Sequence, residues 1–168
     1  MPVTLTMALA VMAMVITSGW SHTEAHAQTR SPARSRPAPS STAALEQAVL
    51  QQVNAYRARQ HLPTLRWEER LAQQARQHSQ TMLNSGLSHT GFEQRQAAIG
   101  RVLPWSSAAE NVAYSQGMLD PATQAVQGWL NSPGHRRNLE GPFTLTGIGA
   151  ARNPRGEVTF TQIFLRPR

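Results

Sequence analysis

The stretch Trp129–Asn138 reads Trp-Leu-Asn-Ser-Pro-Gly-His-Arg-Arg-Asn, and the rest of the chain can be organised around it. Its first residues end an apolar helix, and Ser132 and Pro133 then suit the cap and first position of a new turn. His135 therefore lies just inside a short helical turn, beside two arginines and an asparagine. A polar cluster directly after an apolar aromatic residue such as Trp129 is unusual for a segment with a purely structural role. It predicts that His135 faces a cleft.

Two distant polar pairs are expected to meet His135. Ser88 and His89 lie in a loop between two predicted helices, and Glu110 and Asn111 interrupt the apolar stretch 109–114. A carboxylate in such a stretch needs a partner when it is buried. The sequence therefore predicts one ligand-binding cleft, formed by His89, Glu110, His135, Asn111 and Ser132.

The N-terminal part of the chain has the composition of an export signal followed by a linker. Residues 1–27 contain an apolar run that is too short to span a bilayer, and Ala25-His26-Ala27 is a typical cleavage pattern. Residues 28–42 are rich in proline, arginine and serine and cannot bury a core, which predicts a flexible linker. We expect a single domain over 43–168, no transmembrane segment after cleavage, and a secreted or periplasmic location.

The composition excludes several classes of chemistry. The chain has 168 residues with a formal charge of +7, and its sixteen basic residues are all arginine. It has no cysteine, so disulfides, a thiol nucleophile and a cysteine-type zinc site are excluded. The arginines are scattered and do not interleave with aromatic residues, so no specific nucleic acid partner is expected.

The order of the predicted elements indicates an α+β fold. Apolar residues recur at helical spacing from Leu45 to Tyr56 and over Leu71–Met82, which predicts two helices. A short third helix is expected over 94–101, and Asp120-Pro121 marks the start of a fourth. The stretch 103–107 is predicted to be a loop. Two strands are expected late in the chain, over 145–150 and 157–165. Helices followed by strands predict helices that pack on an antiparallel sheet.

Two catalytic interpretations can be drawn from the polar residues. His89, His135 and Glu110 could supply the ligands of a catalytic zinc, although no short motif enforces that geometry. Glu110 would then act as ligand or general base of a metal-dependent hydrolase. The second interpretation is serine hydrolysis, because the segment Gly86–Gly91 resembles the nucleophile elbow of serine hydrolases. The segment has one residue too many, however, and it follows a helix instead of a strand. No catalytic residue can be assigned on this basis.

Taken together, these motifs resemble the CAP superfamily, the cysteine-rich secretory, antigen 5 and pathogenesis-related 1 proteins, and in particular its bacterial SCP-like extracellular branch. The residues that carry the resemblance, in family order, are Asn54, Arg57, 65–67, 88–91, 110–113, 129–139, 147–149 and 160–162. The resemblance identifies 43–168 as a CAP domain. It implies a three-layer α-β-α sandwich with a central antiparallel sheet.

The resemblance also implies a large cleft with two histidines and two glutamates, which in some members holds a divalent metal. His89 and Glu110 match two of these four positions. The other two positions hold Ser132 and Thr159, and His135 belongs to the bacterial pattern.

We therefore expect a non-enzymatic exported module whose cleft binds a cell-envelope component or a lipid and requires no cofactor. Two alternatives stay open. One is a metal-dependent hydrolase or protease that uses a divalent metal such as zinc in the same cleft. The other is a structural module that binds polyanions through its arginines.

Overall fold

The computed structural model of the chain describes residues 41–168. The predicted signal peptide and nearly all of the predicted linker lie outside these residues, and the first helix begins at Thr42. Among the described residues, no helix combines the length and apolar character needed to cross a membrane. The elements in chain order are α1 Thr42–Arg59, β1 Arg66–Trp67, α2 Glu69–Ser85, α3 Phe92–Val102, β2 Trp105–Gln116, α4 Pro121–Asn131, α5 Pro133–Glu140, β3 Leu145–Arg152 and β4 Glu157–Pro167.

The four strands form one mixed sheet in the order β1-β3-β4-β2. Strand β4 pairs antiparallel with both β2 and β3, whereas the short β1 pairs parallel with β3. The α+β class is confirmed, but the sheet is not wholly antiparallel as expected. The alternation of residues 65–67 predicts an extended segment and does not specify the direction of its partner.

Strands β3 and β4 are covered on both faces, because alternate residues contact different helices. Ile148 and Ala150 pack in the apolar cluster that contains Trp129 of α4. On the other face, a Cβ added to Gly147 or Gly149 would lie 2.1 Å from a backbone nitrogen of α2. The backbone of α2 therefore rests on these glycines, because any side chain there would collide with the helix. The three-layer sandwich order itself stays a prediction.

The predicted loop over 103–107 is wrong in its second half. Strand β2 begins at Trp105, which pairs with Pro167, and a register shift follows before Ser107 pairs with Arg166. The strand extends this far because the C-terminal end of β4 provides hydrogen-bond partners. Residues adjacent in sequence cannot reveal that pairing.

Arg57 in α1 joins the loop after α1 to the end of α5 and to the loop between α5 and β3. It is 1% exposed, and its guanidinium donates to the carbonyl oxygens of Pro63, Leu139, Gly141 and Phe143. Burial lowers the pKa of this guanidinium. Because four carbonyl oxygens accept hydrogen bonds from it, Arg57 fixes the end of α5 against α1. Helix α5 is the helix that carries His135.

Candidate functional site

The candidate site lies at the free edge of the sheet, along strand β2. Alternation of side chains places Glu110 and Asn111 on opposite faces of this strand. Glu110 contacts residues of α2, α3 and the loop between them, whereas Asn111 contacts α5. His89 of the loop and His135 of α5 approach each other at this edge, with ring centroids 6.4 Å apart. The structure thus brings together His89, Glu110 and His135, which are far apart in the sequence.

Glu110 is a buried carboxylate whose charge is balanced by Arg95 of α3. Arg95 Nε donates to Glu110 Oε2 at 2.9 Å, and Arg95 Nη2 donates to Glu110 Oε1 at 2.7 Å. The Glu110 side chain is only 1% exposed, so this bidentate pair satisfies a charge that would otherwise be costly to bury. The sequence analysis did not identify Arg95 as the partner of Glu110. The need of a buried carboxylate for a partner was the signal that could have led to a cation on a neighbouring helix.

His89 is oriented by the same carboxylate. Its Nδ1 lies 3.0 Å from Glu110 Oε1, and because a carboxylate oxygen accepts, Nδ1 carries the proton. Nε2 is therefore the ring nitrogen that does not contact Glu110. The side chain is 50% exposed. His89 therefore offers an accessible ring nitrogen beside a buried and neutralised ion pair.

His135 is held through its backbone by a pair of asparagines. Asn111 Nδ2 donates to the His135 carbonyl at 3.1 Å, and Asn138 Nδ2 donates to Asn111 Oδ1 at 2.8 Å. Asn111 is fully buried, and its amide holds the backbone of His135 in place. Burial, and secondarily the proximity of His89, lowers the pKa of His135. Its imidazole is therefore neutral at pH 7.

Ser132 occupies the junction between α4 and α5, and a contact of its side chain with a ligand stays a prediction. It is the N-cap residue of α5, and its side chain makes no capping hydrogen bond. Its backbone N–H donates to Trp129 O at 3.2 Å, and its carbonyl accepts from Arg136 N at 2.8 Å. Within residues 41–168, no hydrogen bond joins the Ser132 hydroxyl to His89, Glu110 or His135.

A third histidine, His78 of α2, lies behind Glu110 and was not predicted. Its Nε2 is 2.8 Å from Ser88 O and 3.9 Å from Glu110 Oε1. Burial is the main cause that lowers the pKa of His78. The neutral ring donates its Nε2–H to the Ser88 carbonyl, which ties the loop that carries His89 to α2.

The sequence of the chain matches the profile of the CAP family, described as the cysteine-rich secretory protein family, over residues 50–164. The chain belongs to the CAP family. It does so without a single cysteine, so this CAP domain relies on packing, on the buried Arg57 and on its ion pairs.

The CAP domain is similar to proteins and solved structures from several bacteria. It is 34% identical over 121 residues to the uncharacterized protein YkwD of Bacillus subtilis, with 67% of this chain and 44% of the relative covered. The uncharacterized membrane protein YlbC of Bacillus subtilis is also 34% identical, over 127 residues, with 72% and 34% covered. The chain thus spans less than half the length of either relative.

Two solved structures have related folds. An extracellular protein of Bacillus anthracis that contains a SCP domain shares 32% identity with a TM-score of 0.60, with 74% of this chain and 41% of that one covered. An outer surface protein of Borrelia burgdorferi shares 19% identity with a TM-score of 0.66, with 79% and 100% covered, and supports the fold alone. These two structural neighbours are thus an extracellular and an outer-surface protein.

The arrangement of side chains in this CAP domain does not fit a metal centre. Arg95 occupies both oxygens of Glu110, and a guanidinium at that place competes with any cation. Among residues 41–168, no group of three or more His, Cys, Asp or Glu is placed to share a metal ion. Thr159, at the family's second histidine position, is fully buried and donates to Ser79 O at 2.7 Å.

Proposed function

We propose that this protein is an exported CAP domain that binds a small ligand in the cleft between His89 and His135 without converting it. The observation that carries the proposal is the approach of two imidazoles to 6.4 Å over a carboxylate that is already neutralised. The ligand is a cell-envelope component or a lipid whose polar group enters this cleft.

The chemistry of the cleft favours binding over hydrolysis. A general base needs a free lone pair within reach of the nucleophile, but Glu110 is engaged by Arg95 and His89. The nearby Ser88 hydroxyl accepts from Thr90 N at 3.4 Å and has no hydrogen bond to an imidazole within the described residues. Neither group is arranged as an activated nucleophile and base.

The hydrogen bonds of the two histidines indicate what the ligand must offer. His89 presents Nε2, because its Nδ1 is used by Glu110, and neutral His135 adds one acceptor and one donor. A polar group with O–H or N–H donors matches this set better than a carboxylate or phosphate, because Arg95 is already paired with Glu110. Hydroxyl-bearing headgroups and envelope sugars both satisfy this requirement.

Native mass spectrometry of the protein isolated from its own host tests this proposal. The wild type is expected to carry a copurified ligand mass, and the double variant His89→Ala/His135→Ala is expected to lose it. His61→Asn is the matched control, since it removes an imidazole outside the cleft and asparagine tolerates its positive φ of 58°. A wild type without ligand, or a ligand mass that survives the double variant, would overturn the proposal. Stoichiometric metal by elemental analysis would instead support the hydrolase alternative.

A further inference from the structure

A second recess adjoins the Arg95–Glu110 pair on the side of α2. It has a volume of about 260 Å³ and is lined by Gln74, Gln77, His78, Thr81, Thr90 and Arg95. None of the cleft residues His89, Glu110 and His135 belongs to its wall. The recess is therefore separate from the cleft described above, although Arg95 connects the two.

Helix α2 builds most of this recess from one face. Its four lining residues are spaced i, i+3, i+4 and i+7, which places them together on the helix surface. The adjacent stripe of α2, which includes Leu71 and Ala75, is buried in the apolar cluster against the sheet. The recess-facing stripe is entirely polar, and only His78 in it is buried, so the other three side chains are available to a ligand.

His78 contributes a hydrogen-bond acceptor to this wall. Its side chain is 4% exposed, and its Nε2–H is used by the Ser88 carbonyl. Because burial lowers the pKa of His78, the ring is neutral and Nδ1 carries a lone pair. Nδ1 makes no hydrogen bond to residues 41–168 and is not fully enclosed by protein, so a ligand in the recess can donate to it in place of water.

The recess carries donors and acceptors but little net charge. Gln74 and Gln77 each supply an amide carbonyl and an amide N–H₂, and two threonine hydroxyls can act in both senses. The charge of Arg95 is balanced by Glu110. A neutral ligand with several hydroxyl groups matches this lining, whereas an anion finds no unpaired cation and an acyl chain finds no apolar side chain.

We propose that this recess binds one ring of a neutral glycan through its hydroxyl groups. One sugar hydroxyl donates to His78 Nδ1, and its neighbours exchange hydrogen bonds with the two glutamine amides. The volume lies below the range of about 300–1,000 Å³ that holds drug-sized ligands, so one sugar ring fits inside while the rest of the glycan extends into solvent. A peptide is disfavoured, because the wall has neither a strand edge nor an apolar pocket to anchor one.

An NMR titration of the full chain, labelled with ¹⁵N, tests the site with maltotriose and tri-N-acetylchitotriose as probes. At least one glycan is expected to shift the side-chain amide signals of Gln74 and Gln77 saturably at millimolar concentration. The variant Gln77→Leu/Thr81→Val is expected to weaken this binding about tenfold. Both positions are exposed, so the fold is expected to survive the change.

The control variant Gln73→Leu/Gln80→Leu lies on the exposed surface of the same helix but outside the recess, and should keep the affinity within about twofold. The His89→Ala/His135→Ala variant should also keep it, which separates this site from the cleft. The glycan site is overturned if neither sugar shifts these amides, if the control variant loses binding equally, or if binding disappears with the two histidines. Stronger shifts of the same amides by triglycine would assign the recess to peptides instead.

Discussion

Replacing Arg95 with methionine should expose how much the fold depends on the ion pair at the site. Glu110 is 1% exposed, and Arg95 supplies two of its hydrogen bonds, at 2.9 and 2.7 Å. Removing one partner of a buried pair costs about 3–5 kcal/mol, because the other charge is left without compensation. His89 is half-exposed and contacts only one oxygen of Glu110, so it cannot replace the bidentate cation. We expect the free energy of unfolding at pH 7 to fall by that amount, and the melting temperature to fall by roughly 10 °C or more.

Urea denaturation of three further variants makes this prediction specific. Arg101→Met changes an exposed arginine of the same helix and should cost less than about 0.5 kcal/mol. Arg95→Met/Glu110→Leu removes both charges and should recover most of the loss, since apolar replacement of a buried pair is often neutral. Glu110→Leu alone leaves Arg95 without its carboxylate and completes the double-mutant cycle. A loss below about 1 kcal/mol for Arg95→Met, or additive losses in the cycle, would refute the reasoning.

Three other predictions concern packing, pH and export. Gly149→Ala should destabilise the protein by about 2 kcal/mol or more in urea, because its Cβ would meet the α2 backbone at 2.1 Å, whereas Gly128→Ala meets nothing within 4 Å and should be neutral or stabilising. Burial lowers the pKa values of His78 and His135 from 6.5. Because the unfolded chain then binds more protons than the folded one as the pH falls, the free energy of unfolding should decrease from pH 7.5 to pH 5. The variant His78→Gln should flatten the dependence of the urea midpoint on pH, and an unchanged slope would contradict this account. Mass spectrometry of the exported protein should find a mature N-terminus at Gln28, and retention of the first residues would rule out cleavage there.

Much of the fold could be predicted because its signals act within a few residues. Asp120 and Pro121 start α4 as expected, with the Asp120 carboxylate accepting from Thr123 N at 3.1 Å. A strand was predicted over 157–165, and β4 covers Glu157–Pro167. The limits of β2 and the parallel pairing of β1 could not be predicted, since each depends on a partner far along the chain.

The candidate site, too, could be predicted from the sequence only in part. Residue type and local context pointed to His89, Glu110 and His135, because polar groups inside apolar or loop segments stand out in the sequence. The partner of Glu110, the role of Asn111 and the presence of His78 depended on packing between α2, α3, α5 and β2. The contacts that Arg95 and Asn138 make with β2 join residues that are 15 to 28 positions apart.

By itself, the sequence determined the α+β class, most of the helices and the late strands, the family and the residue types available for chemistry. Only the tertiary structure decided that Arg95 neutralises Glu110, that Asn111 supports His135 from the opposite face of β2, and that α2 turns a polar stripe towards a second recess. The physical reason is that helix and strand periodicity are local properties of the backbone, whereas the pairing of a buried charge is settled by which helices cover the edge of the sheet.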